Sequence, residues 1–91
     1  MKLLDASQIK AARALIDWSQ GDLAEKSGLA LATIKRMEKL GPGRSALSNV
    51  EAVKAALESA GVIFIDPNGN GAGVRLRGGG SNSEGSFLRG N

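Results

Sequence analysis

The feature that most constrains this chain is a helix-start signal that recurs within its first thirty residues. Leu4-Asp5-Ala6-Ser7-Gln8-Ile9 places a capping acid, a glutamine three residues later and two flanking apolar residues in the order of a capping box with its hydrophobic staple. Trp18-Ser19-Gln20-Gly21-Asp22-Leu23 repeats that order, with Ser19 as the cap and Asp22 closing the box. Two starts only fourteen residues apart force two short helices. Ile9, Ala12, Leu15 and Ile16 give the first an apolar face, and the second is expected over Gln20 to Lys26.

Ser27-Gly28 interrupts the second helix, because glycine accepts the left-handed conformation that ends one. Leu29 and Ile34 are spaced as a third staple around Ala30, a cap position without a hydrogen-bonding side chain, so this start depends on tertiary packing. The third helix is expected to reach Lys39, with Ile34, Met37 and Leu40 facing inward. Residues 40 to 46, LGPGRSA, form a loop, and Ser48 with Glu51 reads as a capping box for a fourth helix that carries Val50, Val53 and Leu57 inward and closes at Gly61. Val62-Ile63-Phe64-Ile65 and Val74-Arg75-Leu76-Arg77, separated by turn-forming PNGNGAG, predict a β-hairpin over 62–77. The Gly- and Ser-rich segment 78–91 has few apolar residues and is expected to be a flexible tail.

Ninety-one residues allow one small domain, and without Cys or His no disulfide or zinc site of the usual thiolate or imidazole kind can brace it. Packing, or a second copy, must supply the stability. Neither a signal peptide nor a membrane span is legible, so a cytoplasmic protein is expected. The net charge is +3, and Lys35, Arg36, Lys39 and Arg44 against Glu38 place that whole excess between residues 31 and 49. Such local basicity favours a polyanionic partner.

Two short helices joined by a tight glycine turn are the arrangement that inserts its second helix into the DNA major groove. SQGDLAEKSGLALATIKRME, residues 19 to 38, resembles the helix-turn-helix of the Cro/cI-type, or XRE, family in Gln20 after the cap, Leu23-Ala24 inside, Gly28 in the turn, Ile34 inside and Glu38 near the end. The resemblance spans residues 5 to 60. It implies a mainly α, four- to five-helix Cro/cI-like domain over 1–61, followed here by the hairpin and the tail. It also implies that Gln20 lies at the groove edge, able to touch phosphate or a base, that Leu31, Ala32 and Arg36 face base edges with Thr33 and Lys35 beside phosphates or bases, and that Arg13 of the first helix pairs with Glu38 as a structural ion pair.

The chemistry of these side chains bears on those roles. Arg36 can bond a guanine in bidentate fashion, whereas Leu31 and Ala32 can only touch a thymine methyl. Leu31 has a second reading, packing on Gln20 or on another protein. Helix starts bind phosphate, which nominates Ser19, Ser48 and Asn49, with Lys39 and Arg44 as cations nearby. Arg44 also reads as a solvated loop cation. Trp18 is expected to be a staple and core residue.

Val62, Ile63, Phe64 and Ile65 are apolar on both faces of their strand, which points to a homodimer built through the hairpin. The strand folding back on the fourth helix is the other reading. A dimer would set two recognition helices about 34 Å apart on a palindromic operator. Neither GNGAG, residues 69 to 73, nor SQIK, residues 7 to 10, has the context that nucleotide binding or hydrolysis requires, and no catalytic residue, metal site or cofactor is expected. The expected function is a bacterial or phage transcriptional regulator on double-stranded DNA, at the nucleoid. The alternative is a protein-interaction module on the same fold, an antiactivator, adaptor or antitoxin component that meets a second protein through the hairpin or the tail.

Overall fold

The computed structural model describes residues 4–65 and 73–77, and its first helix starts where the local chemistry dictates. α1 (Ala6–Leu15) follows Asp5, whose carboxylate accepts from the Gln8 N–H at 2.9 Å while Gln8 Oε1 accepts from the Asp5 N–H at 3.0 Å. α2 (Gln20–Ser27) follows Ser19 in the same way. Ser19 Oγ accepts from the Asp22 N–H at 3.0 Å, and the Asp22 carboxylate accepts from the Ser19 N–H at 2.9 Å. Between these helices Asp17 turns the chain with φ 58°, a left-handed conformation that aspartate tolerates better than most side chains.

Gly28, at φ 75°, ends α2, and the three residues Gly28, Leu29 and Ala30 lead directly into α3 (Leu31–Leu40). No side chain caps α3; the Ala30 carbonyl accepts from the N–H groups of Thr33 and Ile34 at 3.0 and 3.3 Å. Gly41 at φ 88° and a 3-10 turn over Pro42–Arg44 then redirect the chain into α4 (Leu47–Ser59). The expected capping box at Ser48 does not form. Ala46 is the cap, the N–H groups of Asn49 and Val50 bond to its carbonyl at 3.0 and 3.1 Å, and Ser48 is an exposed residue of the first turn. The 3-10 turn closes through Ser45 N–H to Pro42 O at 2.9 Å, so the chain is already turned and begins the helix before Ser48.

The core joins Leu4, Ile9 and Ala12 of the first segment to Leu23 and Ala24 of α2, Ile34 and Met37 of α3, and Val50, Val53 and Leu57 of α4. Trp18 packs on this cluster, as expected of a staple. Leu15 and Leu40 do not join it. Both end their helices on the solvent side, and Leu40 is 60% exposed.

After Gly61, at φ 103°, β1 (Val62–Ile65) pairs antiparallel with β2 (Gly73–Leu76), Val62 opposite Leu76 and Phe64 opposite Val74. The turn residues 66–72 and the segment 78–91 lie outside the described residues. The hairpin packs on α1 and α4, with Val62 buried in the core and Phe64 and Val74 against it. Offering Val62 to a second copy therefore needs correcting, because its side chain is already enclosed by its own chain. Gln8 locks the hairpin in place: while its Oε1 completes the α1 cap, its Nε2 donates to the carbonyls of Ile65 and Gly73 at 3.2 and 3.1 Å. Among the described residues, four α-helices and one hairpin make up the fold, and no helix is long and apolar enough to cross a membrane.

Candidate nucleic-acid interface

Helical spacing divides α3 into two faces. Ile34, Met37 and Glu38 point inward, and Ala32, Lys35, Arg36 and Lys39 share the opposite, exposed face. The only acid of α3 is thus turned inside while its three cations are outside. None of Lys35, Arg36 or Lys39 has a carboxylate within 4.0 Å among the described residues. Their charge is left free for an external anion.

Glu38 is held inside by three donors. Arg13 makes a bidentate contact, Nε to Oε2 at 2.7 Å and Nη2 to Oε1 at 2.8 Å, and Gln20 Nε2 donates to Oε1 at 3.1 Å. Arg13 also donates through Nη1 to the Trp18 carbonyl at 3.0 Å. The glutamate side chain is 4% exposed and the arginine 19%. One buried carboxylate therefore ties α1, the turn before α2, the first residue of α2 and the last turn of α3 together. The hydrogen bond to Glu38 raises the Arg13 pKa, against the smaller opposing effect of burial, so the guanidinium is charged at every workable pH.

This network has a consequence for α3. Its angle to α1 is fixed from beneath by a charged, bidentate contact and its angle to α2 by the Gln20 amide, so the outward cations stand on a rigid support. The pairing of Arg13 with Glu38 is as expected. Gln20 has a role the motif alone does not show: it is half-buried, and its amide donates to Glu38.

Leu31 opens α3 with 42% of its surface exposed, and Ala32 beside it is exposed too. Thr33 is half-buried on the flank nearer Met37. At the starts of α2 and α4 the Asp22 N–H is taken by Ser19 Oγ and the Asn49 N–H by the Ala46 carbonyl, which leaves the first two N–H groups of each helix, at Gln20 and Gly21 and at Leu47 and Ser48, suited to an anion. The Arg44 backbone ends the 3-10 turn between α3 and α4, and its side chain lies outside the described set.

Sequence reasoning did not find the Gln20 link to Glu38 or the arginine bond to the Trp18 carbonyl. Both join positions whose proximity is created by the fold, and no local pattern marks them. Among the described residues no group of three or more His, Cys, Asp or Glu side chains is arranged to hold a metal ion. Comparison with known proteins gives no match, either to a family model or to a curated protein.

Proposed function

We propose that this chain is a Cro/cI-type DNA-binding transcriptional regulator that places α3 in the major groove. The observation that carries the proposal is the sorting of charge on α3, with Glu38 clamped inside and Lys35, Arg36 and Lys39 outside on one face. A three-residue glycine turn sets that helix against α2, in keeping with the geometry by which such motifs present a recognition helix.

In this reading Arg36 takes a guanine through its two parallel donors, Leu31 and Ala32 lie against thymine methyls, and Lys35 reaches a base edge. Lys39, Thr33, Arg44 and the starts of α2 and α4 at Ser19, Ser48 and Asn49 hold phosphates, which set position but carry no sequence information. Two copies joined through the hairpin would read a palindrome. With the Val62 face enclosed, the outward Ile63 and Ile65 side chains and the edge of β1 that is unpaired among the described residues are what remains for that contact.

Fluorescence anisotropy with a labelled duplex, repeated over a range of salt, tests this reading. Binding should weaken with salt, and each cation whose phosphate contact is removed should flatten the log–log slope by about 0.9. Binding that ignores salt, or that survives K35A/R36A/K39A unchanged, would contradict the proposal.

The exposure of Leu40 and of Leu47, 55% exposed at the start of α4, favours a second reading in which this end of the domain docks another protein. An antiactivator, adaptor or antitoxin component would use the surface so. Its complex would persist at salt concentrations that dissociate DNA.

A further inference from the structure

A groove of about 510 Å³ runs between the C-terminal end of α2 and α4, and no residue of α3 lines it. Trp18 and Lys26 line it from one side, and Ala52, Ala56, Ser59 and Ala60 from the other. The small side chains leave one indole as its principal apolar surface. The groove ends at Ala60, beside the point where the chain leaves the hairpin: Arg77 N–H donates to the Gly61 carbonyl at 2.7 Å, and Arg77 Nη2 to the Glu58 carbonyl at 3.2 Å.

Residues 78–91 follow from that point, and Phe87-Leu88 is the only pair of large apolar residues among them. Nine residues, 78–86, separate the pair from Arg77, and seven of them are Gly or Ser within GGGSNSEGS. A Gly-rich linker of that length has a root-mean-square reach of roughly 15–18 Å. The groove wall from Ala60 back to Ala52 extends over about 12 Å at the helical rise of 1.5 Å per residue. The tether therefore covers the groove without being stretched. Lys26 puts a cation on the α2 wall, so Arg89, which follows the apolar pair, is directed to the other side, where Glu51 and Glu58 are exposed on α4 one or two positions from the alanine row.

We infer that the groove between α2 and α4 is a docking site for the chain's own C-terminal segment, with Phe87 and Leu88 against Trp18 and the α4 alanines and Arg89 toward the α4 glutamates. The segment then straps the hairpin end to the back of the α2–α3 unit. This inference is independent of the DNA-binding proposal, since no residue of α3 lines the groove.

Trp18 is the only tryptophan in the chain, so its fluorescence reports the groove directly. A tether of this kind supplies an effective concentration in the mM range, and a two-side-chain contact has a dissociation constant of similar order, so the groove is filled about half of the time. In the full chain, F87S/L88S should therefore raise acrylamide quenching of Trp18 about twofold, with the emission shifted to the red. Ala55→Lys, an exposed change in the groove wall that adds bulk and a charge like that of Arg89, should raise quenching in the same direction while leaving the circular dichroism unchanged. Nuclear Overhauser contacts between the Phe87 ring and the Ala52 and Ala56 methyls should be present in the wild type. Unchanged quenching in F87S/L88S together with absent contacts would overturn the inference. Quenching protection that survives F87S/L88S and grows with protein concentration would overturn it too, by assigning the groove to a second copy.

Discussion

Removing Arg13 should damage the fold more than removing any exposed cation, and the size of the loss follows from what is left behind. In Arg13→Ala the Glu38 carboxylate, 4% exposed, keeps only the Gln20 amide at 3.1 Å, and the Trp18 carbonyl loses the Nη1 donor. Breaking one partner out of a buried pair costs about 3–5 kcal/mol. For a domain of this size each kcal/mol lowers Tm by about 4–8 °C, so the variant should melt at least about 12 °C lower, and a marginal domain would already be largely unfolded at 37 °C. Glu38→Gln should lose less, because the amide keeps the shape and one acceptor for Arg13. R13M/E38L should recover much of the loss, since an apolar pair leaves no buried charge unpaired. Thermal melts followed by circular dichroism at 222 nm measure all three. A shift for Arg13→Ala of less than about 4 °C would show that the pair behaves as an exposed surface bridge and that the rigid support inferred for α3 is wrong. The cation's pKa is raised, so its contribution is complete below the unfolded arginine pKa and is lost only as pH climbs through the still higher folded value. The Arg13→Ala loss should therefore be the same at about pH 7 and about pH 10.

Gln8→Ala should cost about 2–4 kcal/mol in urea denaturation, because three hydrogen bonds disappear and two carbonyls of the hairpin lose a donor; a loss under about 0.5 kcal/mol would mean that the hairpin is held by its apolar contacts alone. Ala30→Ser should stabilise by about 1 kcal/mol, since the position already has extended cap geometry and lacks only the oxygen; an unchanged melting temperature would refute this. Gly28→Ala should destabilise by about 1–2 kcal/mol through the backbone alone, because an added Cβ meets nothing within 4 Å while φ is 75°, and Gly28→Asn should be milder; equal losses for the two would point to a packing cause instead.

The parts of this fold that could be read in advance are those written in local chemistry. Asp5 with Gln8 and Ser19 with Asp22 form their boxes, and Gly28 takes the left-handed conformation, because each needs only residues within one turn. The same logic failed at Ser48, where the preceding 3-10 turn started the helix early. It failed at Leu40 because apolar spacing says nothing about where a helix runs out of partner surface. Gln8 was legible as half of a capping box and illegible as the clasp on the hairpin, 57 and 65 residues away. The apolar excess of β1 fits either a second copy or the fourth helix; the enclosed Val62 shows that one face meets α1 and α4, a choice that the strand's own residues do not encode. For the interface, the outward cations of α3 followed from helical periodicity. The engagement of Gln20 with Glu38 did not, since it exists only once α2 and α3 are packed.

Whether the outward face of α3 reads DNA sequence, as proposed, is decided by selection from sheared genomic DNA. The wild-type protein and Arg36→Ala would be incubated with the fragments at moderate salt, and the bound DNA sequenced. The account predicts enrichment of a palindrome with half-sites about 10 bp apart for the wild type, and its loss for Arg36→Ala while the variant remains folded. Enrichment of no sequence by folded wild-type protein, or the same enrichment with and without Arg36, would contradict it.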